Sequence, residues 1–180
     1  MGNDLTIYNE FKEEMKTGDG LGFNHFETVS QLIVCKTKGD GPIPLSHFGG
    51  LIRFREYEER RRFSVEAMSD GFFPRILSDY IKDYEGHIYW YPLKDEWNPY
   101  RIQIGTTIMS MFGVGYNFLG VAKQLIMKTN ANTRRLFCSQ AWQIGLQNVA
   151  PQLCNNIGGK TLTPAGMWKL GTYKDSVQII

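Results

Sequence analysis

Two stretches joined by a short charged connection constrain the fold of this chain most. One runs from His47 to Arg55 and the other from Arg62 to Met68, with residues 56–61 between them. Their apolar and aromatic content predicts two strands, and the short connection predicts an antiparallel hairpin. The hairpin would place residues of the second strand across from those of the first.

The remaining elements segregate into strands and helices instead of alternating along the chain. Leu21-Gly22-Phe23 starts a predicted strand, and His87 to Tyr91 forms an aromatic one. Helices are predicted over five ranges and a last turn is predicted at Thr163-Pro164; the helix ranges are 8–16, 27–36, 78–83, 106–112 and 118–128. A strand is the alternative for 27–36. A further helix runs from Phe137 to Val149 and is closed by Pro151. This segregation predicts the α+β class.

Composition limits the classes of function. With 180 residues, 42% hydrophobic and 21% charged residues, the chain fits one globular domain spanning 1–180. The net charge of +2 is spread along the sequence, and the basic cluster Arg60-Arg61-Arg62 follows three glutamates. This favours a solvated turn over a nucleic-acid surface. No nucleic-acid partner is therefore expected.

The cysteines and the first residues bear on location. Cys35, Cys138 and Cys154 cannot all pair, and their spacing fits neither a zinc site nor a disulfide framework. A reducing location, cytoplasmic or virion-associated, is the simpler expectation, with no secretory signal. Gly2 and Thr6 fit the loose myristoylation pattern, which also occurs by chance. Residues 102–122 carry no charge, but glycines and polar residues dilute the run, so no membrane span is expected.

A cysteine at a predicted helix start and a histidine at a predicted strand start are the pair that a thiol hydrolase needs. The N-terminal end of a helix favours the thiolate of Cys138, and the imidazole of His47 can exchange a proton with it. Alternatively, Cys138 is an inert core thiol. His47 could likewise be a surface or satisfied histidine, in which case His25 or His87 could be the base.

A base histidine needs a third group that fixes its orientation. Glu66 lies between Val65 and Ala67 in the second strand, and pairing of the hairpin would bring it across from His47. The alternative is an exposed strand glutamate. The run from Gly113 to Phe118 resembles a phosphate loop, but it lacks the lysine and spacing. It is expected to place Tyr116 near the nucleophile, or to be a turn with a core tyrosine.

Several motifs in this order resemble the YiiX-like group of the circularly permuted NlpC-type, papain-like cysteine hydrolases. The matches are Thr17-Gly18-Asp19, Ser46-His47-Phe48-Gly49-Gly50, Val65-Glu66-Ala67 with Gly71-Phe72, Gly113 to Phe118, Phe137-Cys138-Ser139 and Thr163-Pro164. Gln140 and Asn117 depart from the family pattern, which usually has glutamate and aspartate there.

The resemblance implies an antiparallel sheet or half-barrel packed against helices, with the nucleophile at a helix N-terminus. It implies an amide hydrolase that cleaves a peptide or cell-wall peptide through a Cys138 acyl-enzyme. His47 would be the base, Glu66 its orienting group, and Tyr116 and Ser139 candidates for positioning the substrate or its oxyanion. No metal or organic cofactor is expected.

Two other functions stay open at this point. The same residues could hydrolyse or transfer a lipid acyl group, with aromatic side chains lining the pocket. The chain could also be a non-catalytic binding or structural module, for example in a viral particle. The apolar tail Val177-Gln178-Ile179-Ile180 could dock on a protein partner or add a strand at a sheet edge, or it could fray.

Overall fold

A six-stranded antiparallel sheet organises the protein. The computed structural model describes residues 2–54, 61–68, 70–113 and 138–180. The strands follow the order β4-β3-β2-β1-β5-β6 across the sheet. Their bounds are Gly20–His25 (β1), His47–Ile52 (β2), Phe63–Met68 (β3), Gly71–Ile76 (β4), Gly86–Tyr91 (β5) and Val177–Gln178 (β6).

The predicted hairpin is present as β2 and β3. The two strands pair antiparallel, with Gly50 opposite Val65 and Ile52 opposite Phe63. β2 ends at Ile52, earlier than the predicted Arg55, and residues 55–60 of the connection lie outside the described ranges. The register therefore fixes which side chains of β3 face the start of β2.

Two strands were not predicted from the sequence. β4 contains Pro74, which cannot donate to a ladder, and it is tolerated because β4 lies at the edge of the sheet. β6 is part of the apolar tail and pairs with β5, while Ile179 is 1% exposed. The tail therefore adds the edge strand of its own sheet, and it is not frayed.

The helices lie on both sides of the sheet. Their bounds are Thr6–Phe11 (α1), Thr28–Lys36 (α2), Leu77–Asp83 (α3), Arg101–Met109 (α4) and Cys138–Val149 (α5), with shorter 3-10 helices at Asp95–Tyr100, Pro151–Leu153 and Ala165–Leu170. α1 and α4 each begin before the predicted residue. The helix predicted from Ser78 begins one residue earlier, at Leu77. The predicted helix over 118–128 lies outside the described residues.

Each face of the sheet supports its own core. On one face, α5 packs through Trp142 and Leu146 against Val65 and Phe48. The opposite core is formed with α3 and includes Leu21, Phe23, Leu51, Ile81, Ile88 and Ile179. The α+β class is confirmed. Within the described ranges, every helix is too short or too polar to cross a bilayer.

Candidate active site

The first residue of β2 is His47, and its position depends on hydrogen bonds beside it. The hydroxyl of Ser46 donates to Phe23 O and accepts from His25 N, each at 3.2 Å. The ring of Phe23 lies 5.6 Å from the imidazole, centroid to centroid. These contacts attach the start of β2 to β1 and leave the side chain of His47 17% exposed.

Helix α5 is held on the sheet by one tryptophan. The indole Nε1 of Trp142 donates to Val65 O at 2.9 Å, and a Cβ on Gly50 would lie 2.7 Å from the same ring. One helical turn rises about 5.4 Å and two strand residues span about 6.8 Å. Trp142 over Gly50 therefore places Cys138, one turn earlier, near Phe48, and the Phe48 N–H donates to the thiol sulfur.

His47 and Cys138 are brought into hydrogen-bond contact by this packing. Burial opposes protonation of His47, but the charge of Cys138, its hydrogen bond and Glu66 together raise the pKa of His47 to about 10. Burial also disfavours the thiolate of Cys138. The charge and hydrogen bond of His47, with backbone N–H groups of Phe48 and Ser139, nevertheless lower the pKa of Cys138. The arrangement favours a thiolate–imidazolium pair.

Glu66 contacts His47 diagonally, because the register that sets Gly50 opposite Val65 puts Glu66 level with Gly49. Its Oε2 is 3.1 Å from His47 Nε2, and the carboxylate is 1% exposed. The ring N–H is not aligned on the carboxylate, so the contact is an ion pair rather than a directed hydrogen bond. A Cβ on Gly49 would lie 2.5 Å from Glu66 Cγ. The glycine therefore makes the approach possible.

The side chain of Ser139 is used elsewhere than at the thiol. Its hydroxyl donates to Leu162 O at 2.7 Å, and the residue is 2% exposed. On the same face of α5, Gln143 accepts from Leu162 N at 2.9 Å and donates to Lys160 O at 2.8 Å. If Ser139 helps to position the substrate or its oxyanion, its backbone N–H is therefore the group that would do so. Tyr116, the other predicted positioning residue, lies outside the described ranges.

The other histidines and cysteines are engaged differently. The ring of His25 packs edge-on against Tyr84, and Nδ1 of His87 contacts the amide of Gln178 at 3.2 Å. Cys35 is exposed, and burial raises the pKa of Cys154 to about 11. Among the cysteines, the structure gives a lowered pKa to Cys138. Within the described ranges, no group of three or more His, Cys, Asp or Glu side chains could hold a metal ion.

Sequence reasoning missed the residues that support this constellation. Gly49, Trp142 and Gln143 act through contacts with residues distant in the sequence, whereas Ser64 contacts Glu66 on the same strand. Ser64 alone had a local signal, because strand residues two apart share a face and Ser64 precedes Glu66 by two.

Comparisons with known proteins show the fold. No family model matches the sequence, and no curated protein matches it. The structure is similar to the crystal structure of the metalloprotein YiiX from Escherichia coli O157:H7, with a TM-score of 0.65 and 13% sequence identity. The alignment covers 91% of this chain and 96% of that chain. The chain therefore has a YiiX-like fold.

Proposed function

We propose that this chain is a thiol hydrolase that cleaves an amide bond, in a peptide or a cell-wall peptide, through an acyl-enzyme on Cys138. The observation that carries the proposal is the buried contact series from Cys138 through His47 to Glu66. A lowered thiol pKa beside a histidine held by a carboxylate is the arrangement of an activated nucleophile. The domain, residues 1–180, would be a permuted papain-like one.

The proposed reaction uses the charged pair directly. The Cys138 thiolate attacks the carbonyl carbon, and the imidazolium of His47 gives its proton to the leaving amine. Neutral His47 then takes a proton from water as the water oxygen attacks the thioester carbon. Collapse of that intermediate breaks the C–S bond, releases the acid and restores the Cys138 thiolate beside the His47 imidazolium. Glu66 orients the imidazole and stabilises its charged form. Every step uses side chains, backbone groups and water.

The oxyanion that forms on the carbonyl needs donors near the helix start. The backbone N–H of Cys138 is the first candidate, with Tyr116 and the backbone of Ser139 as the second and third. One such donor contributes typically about 3 kcal/mol of transition-state stabilisation. The hydroxyl of Ser139 is already donated to Leu162 O, which leaves its main chain for this role.

The pH dependence of thiol alkylation tests the proposal. Cys35→Ser and Cys154→Ser leave Cys138 as the single thiol, and iodoacetamide rates are measured across pH. We expect a titration well below the ordinary thiol pKa of about 8.5, and a return toward that value in His47→Ala. A slow thiol with the same unshifted titration in both proteins would contradict the proposal and favour a non-catalytic module.

Hydrolysis is then measured directly with peptide amides and cell-wall stem peptides. Cys138→Ala should abolish turnover, and Glu66→Gln should reduce it while the protein stays folded. Intact-mass spectrometry should detect the substrate acyl group on Cys138. Turnover that persists in Cys138→Ala would place the chemistry elsewhere.

A second candidate, hydrolysis or transfer of a lipid acyl group, is favoured by exposed apolar side chains in the segment that follows β1. Phe26, Val29 and Leu32 are 58%, 68% and 55% exposed, in and just before α2, which follows the strand that holds Phe23 against His47. Esters of increasing acyl length separate the two. A rate that rises steeply with chain length favours the lipid, and a preference for peptide amides favours the first candidate.

A further inference from the structure

Ser64 is a buried polar residue beside the proposed catalytic residues. It lies on β3, is 0% exposed, and its hydroxyl donates to Glu66 Oε1 in a short hydrogen bond. Ser64 and Glu66 are two residues apart, so their side chains share one face of the strand. Ser64 stands opposite Leu51 on β2, which belongs to the core away from α5. The hydroxyl and the carboxylate are thus in contact within the buried interior.

The two oxygens of Glu66 have different neighbours. Oε2 faces His47 Nε2 at 3.1 Å, while Oε1 receives the Ser64 hydroxyl. The Ser64 hydroxyl donates to one oxygen, so the other oxygen is left facing the imidazole. A buried carboxylate oxygen without such a donor would gain by turning toward another partner. Ser64 therefore acts on the rotation of the Glu66 carboxylate.

We propose that Ser64 is a positioning residue that keeps the Glu66 carboxylate directed at His47, so that the site is a four-residue series, Cys138–His47–Glu66–Ser64. This inference deepens the proposed function and rests on it for the role of the series in hydrolysis. The contacts that carry it are the two opposite neighbours of the Glu66 carboxylate and the complete burial of Ser64. Ser64 touches neither the thiol nor the substrate in this scheme.

The effect passes to the thiol through His47. Loss of the Ser64 hydroxyl would let the Glu66 carboxylate turn away from the imidazole, and the less stabilised imidazolium would then stabilise the Cys138 thiolate less. The apparent pKa of Cys138 should rise by about 0.5 to 1 pH unit in Ser64→Ala. Ser64→Thr retains a hydroxyl on a β-branched side chain that suits a strand, and it should keep the wild-type titration.

A double-mutant cycle separates positioning from a merely structural role. In a Glu66→Gln background, Ser64→Ala should leave the thiol pKa unchanged, because the residue acts through the carboxylate. A structural defect would alter reactivity in both backgrounds. All variants carry Cys35→Ser and Cys154→Ser, alkylation by iodoacetamide gives the thiol pKa, and near-ultraviolet circular dichroism confirms folding.

The outcomes distinguish this inference from the proposed function. The inference is supported if the thiol pKa is lowered in the parent protein and rises in Ser64→Ala, while Glu66→Gln has the same thiol pKa with and without Ser64→Ala. This support holds even if no amide is hydrolysed. If Ser64→Ala does not fold, Ser64→Val replaces it in the comparison, because it matches Ser64→Thr in shape and lacks the hydroxyl. The same thiol pKa in parent and Ser64→Ala, or a failure of Ser64→Thr to restore it, overturns the inference. An unshifted thiol in the parent overturns both.

Discussion

Gly49 gives the sharpest test of how Glu66 reaches His47. In Gly49→Ala, the new Cβ would lie 2.5 Å from Glu66 Cγ and 2.8 Å from Val65 O. Ordinary contact begins at 3.4 Å, so Glu66 Cγ must retreat by about 0.9 Å, from 2.5 to 3.4 Å. The backbone carbonyl of Val65 gives way less easily than a side chain does. The carboxylate should therefore move away from β2 and from His47.

The size of the effect follows from the ion-pair distance. At an effective dielectric constant of about 20, unit charges 3.1 Å apart attract by about 5 kcal/mol, and charges about 4.0 Å apart by about 4 kcal/mol. The loss of about 1 kcal/mol corresponds to somewhat less than one unit in the pKa of His47. Because His47 and Cys138 share the charged pair, the pKa of Cys138 should rise by about 0.5 to 1 unit.

The assay is iodoacetamide alkylation against pH in the Cys35→Ser, Cys154→Ser background. Gly22→Ala is a matched control on β1, where a Cβ would lie 2.6 Å from Leu45 Cδ1 and 2.8 Å from a Tyr91 ring carbon. Both alanines should destabilise by about 1–3 kcal/mol through overpacking. The thiol pKa should rise only in Gly49→Ala. An unchanged thiol in Gly49→Ala, or equal shifts in both variants, would refute the reasoning.

Three further predictions concern stability and the docking of α5. The raised pKa of His47 means that this residue stabilises the folded state fully below pH 6.5 and less as the pH rises through about 10. The lowered pKa of Cys138 means that the thiolate stabilises the folded state fully above pH 9.0 and less as the pH falls. The difference in unfolding free energy between wild type and His47→Ala/Cys138→Ala should therefore be flat from pH 6.5 to 9.0 and decline on both sides. Asp19→Asn removes the charge that Arg101 contacts at 2.8 Å, and urea unfolding should show a loss of about 3 kcal/mol. Trp142→Phe removes the hydrogen bond to the β3 backbone, and it should cost about 1–2 kcal/mol in the same assay and raise the thiol pKa.

Local patterns were sufficient for the parts of this fold that rest on local physics. The hairpin of β2 and β3 follows from apolar strands around a short connection, and in it Glu66 contacts His47 diagonally rather than directly across the pair. The α+β class followed from the segregation of elements. β4 was missed because Pro74 opposes a strand unless the strand lies at an edge, and edge position is a property of the whole sheet.

Contacts between distant segments were beyond the reach of sequence reasoning. Ser139 was predicted from its place after Cys138, but its hydroxyl is taken by Leu162 O, 23 positions along the chain. The apolar tail was a candidate for a partner surface, and it pairs with β5 of its own sheet. In each case the sequence showed a polar or apolar group that needed a partner. The packing of the fold determined which residue became that partner.

The start of β2 explains how residues from opposite faces of one sheet can form a single site. His47 and Gly49 share the face of β2 on which Glu66 approaches, whereas Gly50 faces Trp142 of α5. A side chain in the middle of the strand could not reach the helix on the other face. His47 is the first residue of β2, and from this position its imidazole contacts both Cys138 and Glu66. The Cys138–His47 pair therefore depends on the residue at which β2 begins. Residues that fix the start of β2 affect this pair without contacting the thiol.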